Sequence, residues 1–147
     1  MCSCNTHSST IVEAFENAEA ELIPARKHRE VLNAGPLEKF KEKKFHIIQH
    51  GNRSIGIYKL AGKIYALRNQ CPHMGAPLCL GHTGSTYRPA EKGTAEFTEV
   101  LKDRVIRCPW HGWEFDIITG RGLYDGKARV STYKVRINSS DEIEILI

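Results

Sequence analysis

Two short segments of the sequence hold residue types that bind metals. The first is Cys71-Pro72-His73-Met74-Gly75, and the second is Cys108-Pro109-Trp110-His111-Gly112-Trp113. Each offers one soft thiolate and one imidazole a few residues apart, where a strand-like run gives way to a loop. Proline stiffens the approach to such a loop, and glycine lets the backbone pass close to a bulky inorganic core. Brought together, the two loops would supply two cysteines and two histidines. That donor set suits a tetrahedral structural zinc. It also suits a two-iron [2Fe-2S] cluster with sulfur ligands on one iron and imidazoles on the other. Zinc sites usually show Cys-x2–4-Cys followed by His-x3–5-His; the mixed Cys-x-His and Cys-x2-His order here favours iron–sulfur. Two neutral imidazoles in place of two thiolates lower the negative charge on a cluster, so reduction becomes easier.

The elements that must position these loops are mostly strands. From Val31 onward, short β-prone runs are separated by turn residues every eight to twelve positions, the pattern of an all-β domain. Phe45 to His50, Ser54 to Leu60 and Lys63 to Leu67 read as successive strands turning at Gly51-Asn52 and Ala61-Gly62. Val105 to Arg107 and Trp113 to Ile118 flank the second motif, Val130 to Ile137 alternates, and Glu142 to Ile147 closes the sheet. Residues 81–103 read as an insertion with a short strand at Glu96 to Leu101. Ahead of the domain lies an extension over residues 1–30. In it Thr10-Ile11-Val12-Glu13 reads as a capping box, and Ile11, Ala14 or Phe15, Ala18 and Leu22 follow at helical spacing, so a helix is expected over residues 10–22.

Cys71-Pro72-His73-Met74-Gly75-Ala76-Pro77-Leu78 and Cys108-Pro109-Trp110-His111-Gly112-Trp113-Glu114-Phe115-Asp116 resemble the two cluster loops of the Rieske [2Fe-2S] family. They are most similar to Rieske ferredoxins and to the Rieske domains of ring-hydroxylating oxygenases, and the resemblance runs over roughly residues 31–147. It implies an antiparallel β-sandwich with a small cluster-binding subdomain at one tip. It implies one [2Fe-2S] cluster held by Cys71, His73, Cys108 and His111, and a role in one-electron transfer. The partners it implies are a flavin or NAD(P)H-linked reductase as donor and a terminal oxygenase or similar enzyme as acceptor. A small Rieske subunit of a multi-chain oxidoreductase and a redox-sensing module are the alternatives.

Three departures from the family's patterns carry information. High-potential members place an extra cysteine in each loop and join the pair as a disulfide; here Ala76 and Trp110 stand at those places, and Cys79 lies three residues further on. The same members use a serine and a tyrosine hydroxyl as donors to the cluster sulfurs, where this chain has Trp113 and Phe115. Fewer donors leave a reduced, more negative cluster less stabilised, so a low potential is expected. Third, 34 residues separate His73 from Cys108, about twice the spacing in compact Rieske ferredoxins, and the surplus falls at residues 81–103.

The remaining candidates are weaker. Cys2 and Cys4 read as incidental thiols, Cys79 as a buried small hydrophobe, and His46, His50 and His82 as surface residues. A composition of 41% hydrophobic and 26% charged residues is that of a soluble globular domain, and a formal charge of +4 with no recognition motif argues against nucleic acid. No run approaches the roughly 18 apolar residues of a membrane helix, and the polar start lacks a signal-peptide core, so no membrane and a cytoplasmic location are expected. After Asp116 only 31 residues remain and none is histidine. The two-histidine, one-carboxylate iron site of an oxygenase has no place there, and hydroxylation by this chain alone is not expected.

Overall fold

A computed structural model describes residues 30–147; the helix expected at 10–22, Cys2 and Cys4 lie outside them. The described chain is nearly all β. In order it forms β1 (Val31–Pro36), β2 (Phe45–His50), β3 (Arg53–Leu60), β4 (Lys63–Arg68), β5 (His82–Pro89), β6 (Phe97–Arg107), β7 (Glu114–Asp116), β8 (Thr132–Ile137) and β9 (Glu142–Leu146), with single 3-10 turns at Leu37–Lys39 and Leu78–Leu80. Six strands make one sheet in the order β1-β9-β8-β4-β3-β2, and three make a second in the order β5-β6-β7. All pairings between these strands are antiparallel.

The large sheet narrows at its middle, where β4 meets β8 through only Ala66↔Tyr133 and Leu67↔Thr132. Its two halves fold over one another at that seam. Ile55 and Ile57 of β3 thereby share one core with Ile143 and Ile145 of β9, together with Phe40 and Ala66. Because strand side chains alternate between faces, Tyr58 of β3 and Leu67 of β4 point the other way, into a second core with Leu78, Ile106, Phe115 and Ile117. Residues Ile55, Gly56, Ile57 and Tyr58 are all buried, since β3 lies between the two cores. The second core is the floor of the ligand loops.

The strands at 45–50, 53–60 and 63–68 fall where apolar alternation and turn residues put them. Three stretches differ. β1 is interrupted by a bulge between Asn33 and Gly35, and Gly35 takes a positive φ of 98°, which hides the strand from a two-residue period. The strand after the second motif is short, Glu114–Asp116, because Asp116 turns the chain: the Gly120 amide donates to its carbonyl and its own amide donates to the Arg121 carbonyl. Residues 81–103 hold β5 and the first part of β6, paired from His82↔Arg107 to Pro89↔Phe97. That long hairpin grows directly from the sheet that carries the second loop.

Candidate metal centre

The two loops are built alike. In the first, the Cys71 amide donates to the Ala76 carbonyl at 2.8 Å, and the Gly75 amide donates back to the Cys71 carbonyl at 2.8 Å. In the second, the Cys108 amide donates to the Trp113 carbonyl at 2.8 Å, and the Gly112 amide donates to the Cys108 carbonyl at 3.0 Å. Each loop is thus a closed ring about its cysteine, and proline, which has no amide to spare, follows that cysteine in both. Gly75 and Gly112 close the rings at φ of 77° and 72°, a left-handed conformation that disfavours any side chain.

Tertiary contacts set the loops side by side. The 3-10 turn after the first loop leads into β5, whose first residue, His82, pairs with Arg107, the residue before Cys108. Gly81 makes this approach possible: a Cβ there would sit 1.8 Å from the Arg107 carbonyl oxygen, although its own φ of −78° suits any residue. Gly81→Ala is therefore expected to lower stability by about 1–3 kcal/mol, the usual cost of overpacking. Gly84→Ala, where φ is ordinary and the nearest atom to a Cβ would be the end of the Arg107 side chain at 3.9 Å, serves as the control. Thermal unfolding of the two variants checks this, and an equal or smaller loss at Gly81 would refute the steric account.

Behind the first loop, buried Asn69 accepts from the Cys79 amide at 2.7 Å and donates to the Ser54 hydroxyl at 3.1 Å. Cys79 lies against Gly56 of β3, where a Cβ would meet its sulfur at 2.2 Å. Burial pushes its thiol up to about 12, so Cys79 stays a neutral packing residue. Behind the second loop, Arg107 pairs with Glu114 at 2.5 Å and donates to the Ser85 carbonyl at 2.8 Å, while Thr86 donates to Glu114 at 2.9 Å. Arg104 grips Asp116 through two hydrogen bonds of 2.9 and 2.5 Å. Burial alone would raise the Asp116 carboxyl. The hydrogen bonds from Arg104, Thr119 and Ile118 outweigh burial and hold it below the usual carboxylate range. The motifs contained Asp116 and Glu114, but their cationic partners came to light only in three dimensions.

The donors converge in two pairs. Cys71 and Cys108 are buried and free, with their thiols within reach of one another. Burial raises the Cys71 thiol above its ordinary range and Cys108 adds to that, while the nearby His73 and Met74 backbone acts in the opposite direction. His73 and His111 are exposed, their ring centroids 4.7 Å apart. Trp113 of the second loop stacks on His73 of the first, 4.4 Å between centroids and 7° from parallel. This cross-loop contact holds one imidazole in place.

The arrangement fits a two-iron cluster. Two buried sulfurs lie inward and two exposed imidazole rings lie outward, the ligand division of such a cluster.

The other residues weighed in the sequence fall elsewhere. His46 packs edge-on against Phe40 and accepts from the Lys41 amide at 3.2 Å; His50 faces Glu30 at 3.0 Å. His82 is exposed on β5. Phe115 is buried beneath the second loop, whereas Trp110 is 57% and Met74 64% exposed, so each exposed imidazole has an exposed apolar residue next to it in the chain.

A two-layer antiparallel scaffold that presents paired sulfurs and paired imidazoles from twin loops is the build of a small iron–sulfur domain. Residues 30–134 match the Rieske [2Fe-2S] domain, and the chain belongs to that family, whose domain binds one [2Fe-2S] cluster. Human apoptosis-inducing factor 3 is 32% identical over 95 residues, which cover 65% of this chain and 13% of that protein; the chain spans only a small part of that relative's length. The ferredoxin component of the 2,4-dinitrotoluene dioxygenase system of Burkholderia sp. (strain RASC) is 31% identical over 92 residues, 62% of this chain and 71% of that one. Among solved structures, the ferredoxin of carbazole 1,9a-dioxygenase from Nocardioides aromaticivorans IC177 superposes with a TM-score of 0.60 over 79% of this chain and 96% of that one, at 21% identity. That likeness bears on the fold. No helix among the described residues is long and apolar enough to cross a membrane.

Proposed function

We propose that this chain is a Rieske-type ferredoxin, a one-electron carrier between a flavin or NAD(P)H-linked reductase and a terminal oxygenase or similar acceptor. In this reading Cys71 and Cys108 hold one iron and His73 and His111 the other. The observation that carries it is the convergence of two buried thiols and two exposed imidazoles from twin loops at one tip of the fold. The naming of a 31%-identical relative as a dioxygenase ferredoxin component supports the role.

When bound, the cluster accepts and returns one electron. The residues do the rest. The buried cysteines keep the inner side dry, the ring hydrogen bonds of the two loops keep the donors in register, and the exposed imidazoles shorten the electron's path to a docked protein. Met74 and Trp110 give that path an apolar border that a partner can cover.

The purified protein is expected to be red-brown, to give the Rieske electron-resonance signal when reduced, and to cycle once per chain with an NADH-linked ferredoxin reductase. A colourless, zinc-loaded protein would end the proposal. The potential is a further check. Trp113 and Phe115 bring no hydroxyl to the site, so the midpoint is expected near the low end of the Rieske span, about −150 mV. A midpoint above about +100 mV in redox titration would contradict it.

A further inference from the structure

Beside the second loop runs an open groove of about 480 Å³. One wall is His111, Gly112 and Trp113; another is β5 at Thr86 to Arg88; the far wall is the turn carrying Leu123 and Tyr124. Its volume lies in the range of small-molecule sites. Its walls do not close, however: Tyr124 is 91% exposed and Tyr87 61%. A small ligand would stay largely wet there, whereas a segment of another protein would cover both rings.

The charges of the groove are unequal. Glu114, its one acid, is already matched by Arg107 and Thr86. Arg88 is exposed on β5, and among the described residues no ion pair engages it. The turn at the far wall carries Arg121, Lys127 and Arg129, all exposed. Its acid, Asp125, is turned back onto the Lys127 and Ala128 amides at 2.9 and 3.1 Å. The groove is therefore lined by aromatic surface, with Arg88 as a cation that no ion pair engages, and the chain segment of its far wall carries three more exposed cations. An acidic surface is steered to such a site and oriented on it.

We propose that this groove docks an acidic segment bearing an aromatic side chain on the redox partner, with its carboxylates at Arg88 and the basic turn and its ring against Trp113, Leu123 and Tyr124. The β5–β6 hairpin then acts as a recognition arm that selects the partner, and His111, at the groove's edge, is where the partner arrives. The inference rests on the carrier reading and names the chemistry of its partner.

The test is calorimetric titration of the loaded protein with the capped peptide Glu-Asp-Trp-Asp-Glu, using Arg88→Glu and Tyr124→Ala. Both positions are exposed, so both variants should fold and keep the native spectrum. Binding to the wild type is expected to weaken at least fivefold in each variant and with added salt, and a Lys-Arg-Trp-Arg-Lys peptide should prefer Arg88→Glu. No binding, or equal binding to Arg88→Glu, overturns the proposal. Equally tight binding of N-acetyltryptophan alone would assign the groove to a small aromatic acid, and self-association abolished by Arg88→Glu would assign it to a second copy of the chain; either overturns it too. Because the titration reads the groove and the spectrum reads the cluster, failure here is distinguishable from failure of the carrier assignment.

Discussion

Cys108→Ala is expected to give a folded but colourless protein, with cluster retention reduced by more than about 100-fold, beyond the 10–100-fold cost of disturbing an outer-shell partner. As a proposed ligand, Cys108 would supply a donor that no neighbour among the described residues can replace. Cys79, the other buried cysteine outside the twin loops, lies on the β3 face against Gly56, and its thiol is pushed up to about 12 by burial. A thiol so reluctant to ionise is a poor ligand, since the thiolate is what binds metal. Cys79→Ala should accordingly keep a full cluster. His73→Ala should lose it, because the stacked Trp113 has no lone pair to offer in the ring's place. Iron and sulfide content, the visible spectrum and far-UV circular dichroism separate loss of cluster from loss of fold. Full iron occupancy in Cys108→Ala or His73→Ala would sink the ligand assignment.

The largest effect on stability is expected at Asp116. Its side chain is only 7% exposed, and its partner Arg104 is 30% exposed. Asp116→Ala leaves that guanidinium without its bidentate acceptor and also frees the Thr119 hydroxyl and the Ile118 amide. Breaking a buried pair from one side costs about 3–5 kcal/mol; the partial exposure of Arg104 puts the expected loss near the lower figure. Asp116→Asn should lose less, because an amide oxygen can still accept from Thr119 or Ile118.

The same group shapes the acid limb of stability. Its carboxyl is held below the usual range in the folded protein, so between the folded value and the unfolded value of about 3.9 the unfolded chain binds more protons. The contribution is therefore complete above about pH 4 and is lost as pH falls through the folded value. Denaturant midpoints measured from pH 7 down to pH 2 should show a shallower acid decline in Asp116→Asn than in the wild type. Parallel declines would show that Asp116 is not the group responsible.

Much of the site was legible in the chain. Cys71, His73, Cys108 and His111 stand in two spacings that few other purposes explain, and Gly75 and Gly112 mark where each loop must close. The central strands were legible too, because apolar alternation and turn residues are local signals. β1 escaped that reading, since a bulge at Asn33–Gly35 breaks the two-residue period and Pro36 ends the strand.

Long-range partners were not legible. Nothing near Asp116 in the chain says that Arg104, twelve residues earlier, is its counter-ion, and nothing near Asn69 says that it will hold the Cys79 amide. Gly81 carries no mark of its close approach to Arg107, because its φ is ordinary and only the neighbouring strand makes a side chain impossible.

The sequence by itself thus determined which metal-binding side chains each loop carries and where each loop must close, because donor type and ring closure are properties of a few consecutive residues. Only the tertiary structure decided that the two loops meet, that Trp113 from one lies on His73 from the other, and that residues 81–103 stand as a hairpin beside His111. Those outcomes depend on strand pairing and burial between segments far apart in the chain, which local residue preferences do not encode.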